Sequence, residues 1–499
     1  MRQEPPAVDS APGEGHFIQG LGLTSATTIV MGGMIGSGIF IVSADIARIV
    51  DSPALFLGAW VVAGIMTIIA ALSYGELAAM MPQAGGQYVY LREAMGPLPG
   101  FLYGWTLFLV IQTGTAAAVA VGFGKFLGVF FPGISSANWI VHFAHVPTIA
   151  LGPVELGNMD VGLNTQNLVA IAVIAVLTAI NCYGLKTGAM VQNVFTIAKA
   201  GALLGLVILG LFVARNSEAV AENFGNFWHN ASLSAQHVVQ TGGGSSAVVG
   251  TLTILGIALV GSLFSSDAWN NVTFTAGEVR NPKRNLPLSL ALGTGVVILL
   301  YIGANVVYLM ALPLEGIQHA TEDRVGTAVM QGMFGSGGEA IMAIAILIST
   351  FGCANGLLLS GARVYYAMAK DGLFFSAVGH LHPRYNTPVK SLVVQGVWTS
   401  LLCISGSYGQ LLDYIVFAVL VFYILTIASL FILRKKRPDL PRPYRAVGYP
   451  VLPAVYIVAA LAIDFVLLLY KPQYTWPGLF IVLIGIPVYW FWSKRVKRA

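Results

Sequence analysis

Apolar residues run along this 499-residue chain in long blocks parted by short polar connections. The blocks lie at roughly 20–49, 54–81, 98–131, 166–184, 191–214, 248–276, 287–312, 337–369, 391–406, 410–434, 449–470 and 476–493. Most reach the ~20 residues that a helix needs to cross a bilayer. The pattern predicts an all-α integral membrane protein with twelve transmembrane helices. Proline marks several boundaries: Pro53 precedes the second block, Pro287 opens the seventh and Lys471-Pro472 closes the eleventh. The longer connections, about 132–165, 215–247 and 313–336, share one side of the membrane if the spans alternate. Gly242 to Gly244 make the second of them flexible.

Two blocks are interrupted. Gly32, Gly33, Gly36, Ser37 and Gly38 break the first, and Gly261, Ser262, Ser265, Ser266 and Asp267 break the sixth. These are corresponding positions of two five-helix halves. Five is odd, so the second half enters the membrane from the opposite side, and paired broken helices in inverted halves point to a transporter's binding site. The expected plan is a disordered cytoplasmic tail at 1–19, a first repeat at 20–215 and an extracytoplasmic loop at 216–247. A second repeat at 248–434, two further helices within 435–493 and a basic cytoplasmic tail at 494–499 complete it.

Composition agrees. Hydrophobic residues make up 56% of the chain and charged residues 9%, against about 25% charged in soluble proteins, so the polar surface for soluble domains is missing. The net charge of +5 sits in short connections and sets topology rather than binding nucleic acid. With the N-terminus in the cytoplasm, 20 Lys and Arg fall on that side, Arg363 among them, and five on the other, as the positive-inside rule requires. Both termini are then cytoplasmic, in a plasma membrane that for a prokaryotic cell is the inner one. Cys182, Cys353 and Cys403 lie in or beside apolar blocks, without a disulfide framework. The first 19 residues lack the layout of a signal peptide.

A helix broken in lipid must give its freed backbone groups a cavity or partners. The run GSGI at 36–39 would present amide donors to an anion such as a carboxylate. FSSDAWNN at 264–271 would present acceptors to an ammonium group. Asp267 is either a ligand for a cation, a proton site, or a cap on a helix beginning at Ala268. Lys199, about nine residues into its span, is a fixed or titratable positive charge in place of a metal cation, or a structural partner of unwound carbonyls. Phe264 and Trp269 could occlude the cavity. Glu76 reads as a structural or gate acceptor, and Asp45, Asp413 and Asp464, near span ends, as exposed or capping. His142 and His145 have ligand spacing, but a Pro-rich loop and the lack of a third ligand argue against zinc. No cofactor or metal is expected.

The chain resembles the amino acid-polyamine-organocation (APC) superfamily, within it the L-type amino-acid transporter-like branch. The resemblance rests on TTIVMGGMIGSGIF at 27–40, SYGELAAMMPQAGGQYVYLREAMGPLPGFLYGW at 73–105, GLKTGAMVQNVFTIAK at 184–199 and WNNVTFTAGEVRNPKRNLPLSL at 269–290. It implies a LeuT-like fold of five plus five inverted spans plus two, and sodium-independent uptake or exchange of L-amino acids. By that resemblance the substrate carboxylate rests on Ile35, Gly36, Ser37, Gly38 and Ile39. The ammonium meets Phe264, Ser265 and Ser266, with Phe264 also the gating aromatic and Asn270 a polar residue of substrate handling. Lys199 matches a lysine standing where relatives hold sodium. Two departures stand out. Asp267 replaces a small residue of many animal members, which opens the way to cationic substrates. The stretch between the third and fourth spans has no cysteine, so no disulfide-linked heavy subunit is expected.

The expected function is a secondary transporter of L-amino acids, neutral and apolar ones first, by alternating access, as exchanger or proton symporter. A carrier of cationic amino acids or polyamines with Asp267 as counter-ion is the alternative. A membrane-embedded enzyme is a distant one, since no nucleophile, base or metal set converges in any span.

Overall fold

The computed structural model describes residues 17–147, 149–151, 154–156, 159–228, 247–404 and 408–496. Most of the expected N-terminal tail, the Gly242–Gly244 segment and residues 497–499 lie outside these. Ten described helices are long and apolar enough to cross a membrane, and Gly250–Ser265 and Val389–Ile404 are shorter apolar helices. Together they make the twelve spans of an all-α membrane protein.

The first span is two helices, Leu23–Met34 and Gly38–Val50. The sixth runs from Ala247 to Ser265, breaks, and resumes as short turns over Asn271–Phe274 and Ala276–Glu278. The second span is Pro53–Met80, the fifth Leu185–Val213 and the seventh Pro282–Ala311. The seventh therefore opens at Pro282, not Pro287. Pro282 sits in the first turn, where a missing N–H costs nothing, and Pro287 falls inside the helix. In the third span, helices Pro97–Thr106 and Gln112–Leu127 flank a π-helical turn at Leu107–Ile111. The eighth, Val325–Lys370, kinks at Gly335, whose φ of 61° needs glycine. The kink parts a helix of the 313–336 connection from the span proper. The tenth, eleventh and twelfth spans are Tyr408–Lys436, Val451–Tyr470 and Pro472–Val496.

The connection after the third span holds β-structure. Strands β1 (Trp139–Val146), β2 (Ile149–Leu151), β3 (Val154–Leu156) and β4 (Met159–Asn164) pair antiparallel as β1 with β4 and β2 with β3. His142 and His145 thus lie on a strand, not in a loop. Residues three apart on a regular strand face opposite ways. An irregularity between His142 and Ala144 shifts the register, and both rings reach Oδ1 of Asp160, at 3.1 and 2.9 Å. Hydrogen bonds from His145 and then His142 hold this carboxyl below its ordinary range.

Two ion pairs, each with a buried carboxylate, tie span ends together on one side of the molecule. Glu76, fully buried, takes two bonds from Arg434 at 2.9 and 2.6 Å and one from the Ala446 amide at 2.7 Å. Arg363 and Glu278, both 1% exposed, pair through two bonds of 2.9 and 3.0 Å. Arg363 is therefore a buried group of the eighth helix, seven residues before its last residue, and not a connection charge. The N-terminal segment closes over this end, where Leu21 accepts from the Arg280 amide and donates to Glu278 O. Asp464 departs most from expectation. It is 5% exposed and six residues short of the eleventh span's last residue, Tyr470. The side chain of Asp413 lies outside the described residues.

Candidate functional site

Where the first span breaks, five consecutive carbonyls lose their helical partners, and each finds another. Lys199 Nζ, buried in the fifth span, donates to Gly32 O at 2.7 Å, Ile35 O at 2.6 Å and Ser349 O at 3.3 Å. Cys353 Sγ reaches Gly33 O at 3.1 Å. Tyr301 Oη donates to Met34 O at 2.8 Å, and Ser349 Oγ lies 3.1 Å from Ile35 O and 3.0 Å from Gly36 O. Unpaired carbonyls in a low-dielectric interior are costly, so helices five, seven and eight make this break possible. Lys199 contributes three N–H donors in a fan that an apolar side chain could not supply.

The two breaks lie against each other. Tyr301 Oη also reaches Ser265 O at 3.1 Å, so one hydroxyl holds both ends. A Cβ on Gly38 would stand 2.5 Å from Ser265 Oγ and 3.2 Å from Ser265 Cα, and one on Gly33 would stand 2.9 Å from Ala268 O. Only glycine permits that approach. Ala268 itself has φ 64°, a left-handed value uncommon for a residue with a Cβ. No helix begins there, because the chain becomes helical again only at Asn271, and the expected cap role of Asp267 fails for that reason. Asp267 Oδ1 instead accepts from Tyr423 Oη of the tenth span at 2.5 Å.

Two cavities adjoin the sixth break. Phe264, Ser266, Asp267 and Trp269 line one together with Thr67, Val419, Tyr423 and Tyr456. Asp267, Asn270 and Asn271 line the other with Gln87, Gln112, Val419 and Tyr423. Each has room of about 20 Å³, enough for one water. Asp267, Val419 and Tyr423 border both, so they form the wall between them. Trp269 is wedged edge-on against Tyr74 at 4.8 Å and tilted against Tyr423 at 5.2 Å. Asn270 Nδ2 donates to Gln87 Oε1 at 2.8 Å, and Gln87 Nε2 to Phe422 O at 3.1 Å. Ser266 Oγ and Asn271 Nδ2 are buried without a partner among the described residues.

The sequence-expected residues thus fall into two groups. Phe264, Ser266, Asp267, Trp269 and Asn270 line cavities. Ile35, Gly36, Ser37, Gly38, Ile39 and Ser265 are buried at the contact between the breaks and border neither cavity. Lys199 stands behind the first break. Tyr301, Ser349, Tyr423 and Gln87 escape the sequence reading; each is an ordinary polar residue of a long span or amphipathic segment, and only the fold brings it to the breaks. Cys353 carries a weak signal as a cysteine inside an apolar block.

Among the described residues no group of three or more His, Cys, Asp and Glu could hold a metal ion. The site has a pair of broken helices, small cavities with polar walls, and a buried lysine on the carbonyls of the first break. That arrangement suits binding and release of a small zwitterion, not bond chemistry. The chain is 28% identical to the b(0,+)-type amino acid transporter 1 of Mus musculus, over 96% of its own length and 90% of that protein's. It is also 28% identical to the large neutral amino acids transporter small subunit 2 of Homo sapiens, over 96% and 81% of the two lengths. The amino acid permease family model matches residues 21–491. Span count, paired breaks and a match over nearly the whole chain agree: this multi-pass membrane protein belongs to the amino acid permease family and is a transporter of amino acids, not an enzyme.

Proposed function

We propose that the chain carries L-amino acids across the membrane by alternating access around the two breaks, without sodium. The carrying observation is Lys199, whose ammonium occupies the Gly32 and Ile35 carbonyls that a bound cation would otherwise meet. In this reading the substrate carboxylate meets the first-turn amides of the helix that starts at Gly38, which have no intrahelical acceptors. The ammonium meets the end of the sixth-span helix at Phe264, Ser265 and Ser266, with Phe264 and Trp269 closing the cavity and Asn270 tuning it through Gln87. Ile35, Ser37 and Ile39 shape the carboxylate side. The five-plus-five inverted division, 20–215 and 248–434, accounts for the paired breaks.

Neutral amino acids are the primary substrates. A second reading, cationic amino acids or polyamines, is favoured by Asp267, which borders both cavities and accepts from the hydroxyl of Tyr423. A cationic side chain would displace that hydroxyl. We also place both termini in the cytoplasm of a plasma, or inner, membrane, from the distribution of Lys and Arg. The transporter is proposed to act without a disulfide-linked partner, because Cys182, Cys353 and Cys403 are the chain's three cysteines and none lies between the third and fourth spans.

Uptake of a panel of labelled amino acids into proteoliposomes tests these points, with sodium or potassium outside, with and without internal amino acid, and with and without a pH gradient. Uptake of leucine independent of sodium is expected. A strict sodium requirement would overturn the role of Lys199. Uptake of lysine or arginine lost in Asp267→Asn, with leucine uptake kept, would favour the second reading.

A further inference from the structure

Asp464 has no part in the site above, yet it is a carboxyl inside a membrane span. Its position, 14th of the 20 residues Val451–Tyr470, puts it about 9 Å of helix from the nearer end, beyond the reach of so short a side chain. It is 95% buried, and Oδ1 has no hydrogen-bond partner among the described residues. The neighbours on its face are apolar: Ala460, Ile463 and Leu467. Spans two, six, ten and twelve pack against the eleventh.

No described side chain from these elements neutralises it. The sixth-span helix Ala247–Ser265 has no ionisable residue. The second span offers Tyr74 and Glu76, and Glu76 is already paired with Arg434 and Arg442. The tenth offers Tyr423 and the cytoplasmic Arg434, Lys435 and Lys436; the twelfth offers Tyr489 near its cytoplasmic end. On its own helix stand Tyr456 below, Tyr470 above and Lys471 past the end. An unpaired charge so placed is costly. A group of this kind takes and gives up a proton when the packing around it opens to water.

Two features of the eleventh span link that event to transport. Val466 packs against Gly256 of the sixth-span helix, where an added Cβ would stand 3.3 Å from its Cγ1. The eleventh span therefore lies on the helix that ends at the break. Tyr456, earlier on the same helix as Asp464, lines the Asp267 cavity. We propose that Asp464 is a proton-binding site of the transporter, joined to Asp267 by way of Tyr456 and the cavity it lines, so that substrate movement is coupled to a proton along the side of the sixth helix. One proton from the extracytoplasmic water binds the Asp464 carboxylate when the eleventh and sixth spans part, and one is released to the cytoplasm in the return. No other bond changes. The proposal rests on the amino-acid transport reading.

The test uses the full-length protein in liposomes. Wild type should show leucine uptake stimulated by an acid exterior, and Asp464→Asn should lose about tenfold in that gradient-driven component while keeping exchange against internal leucine. Asp464→Glu should restore the stimulation. Gradient stimulation unchanged in Asp464→Asn, or absent from wild type that still exchanges leucine, would overturn the proposal. Wild type without uptake or exchange of any amino acid would overturn the transport reading instead. If Asp464→Asn does not fold, labelling of wild type by dicyclohexylcarbodiimide decides, because this reagent adds to protonated carboxyls in apolar surroundings. Peptide mass mapping should find Asp464 modified, more at mildly acidic than at alkaline pH. An unmodified Asp464 would be contrary to the proposal.

Discussion

At the scale of single residues, the site is a problem of unpaired backbone solved by a few long side chains. Lys199 is the largest contributor, because its three donors meet three carbonyls from two spans. Removing it would leave buried acceptors without partners, each worth about 1–3 kcal/mol. Lys199→Ala should therefore lower leucine uptake by at least about tenfold, and a small cation is the one species that could refill the space. Sodium should restore part of the activity of this variant and do nothing for wild type, as measured by uptake in sodium and in choline media. Full uptake by Lys199→Ala in choline would remove the residue from the mechanism. The structural-partner reading of Lys199 in the sequence is the geometry seen, and the proposed cation-substitute role rests on the same carbonyls. Asp267 was visible as a costly charge, but its partner Tyr423 lies 156 positions away and is one of 54 aromatics, so no local pattern could single it out.

At the scale of elements, the two breaks work only because they touch. Gly38 against Ser265 and Gly33 against Ala268 leave no room for a Cβ without moving backbone. Gly38→Val should abolish uptake, whereas Gly36→Ala, whose new Cβ would face Cys353 Sγ at 3.3 Å, should keep a measurable part of it. Equal loss in both would mean that crowding at the carboxylate site, not contact between the breaks, decides. The glycines were legible as breaks in an apolar run; that they are also contact points was not, since contact depends on how two distant helices are laid together. The β-ribbon was misread for a related reason. WIVHFAHV at 139–146 is strand-forming in composition, but its apolar residues do not alternate cleanly, and the irregularity at His142 is what lets both histidines meet Asp160. Because Asp160 is held low, its ribbon contacts are complete above the ordinary carboxylate range and fade as pH falls through the depressed value. Protection of the β1 and β4 amides, relative to the unstructured exchange rate at the same pH, should therefore fall below about pH 4, and in Asp160→Asn it should be low already at neutral pH. Protection indifferent to both changes would leave the cluster without a structural role.

For the whole molecule, the even number of spans and the charge bias were legible because both are sums over the chain, insensitive to boundaries misplaced by a few residues. The ties across it were not, because Glu278 and Arg363 are 85 positions apart and Glu76 and Arg434 are 358 apart. These ties differ on the two faces. On the face proposed as extracytoplasmic, Arg48 meets Asp323 at 2.7 Å with both side chains 40% exposed, a pair worth at most about 1 kcal/mol. On the face proposed as cytoplasmic, Glu278 and Arg363 are both buried, and removing one partner strands a charge at a cost of about 3–5 kcal/mol. From this arrangement the extracytoplasmic face should open more readily, and the buried pair should hold the cytoplasmic face shut until substrate binding offsets its loss. Arg48→Ala should then leave thermal stability in detergent nearly unchanged, while Glu278→Gln lowers it by several degrees. Replacing both partners with apolar residues, Glu278→Leu with Arg363→Met, removes the stranded charge and should recover most of the lost stability. It should not recover uptake, because an apolar contact there no longer breaks and re-forms as a charged pair during the cycle. A double variant that is both stable and fully active would show that the pair is packing and not a gate.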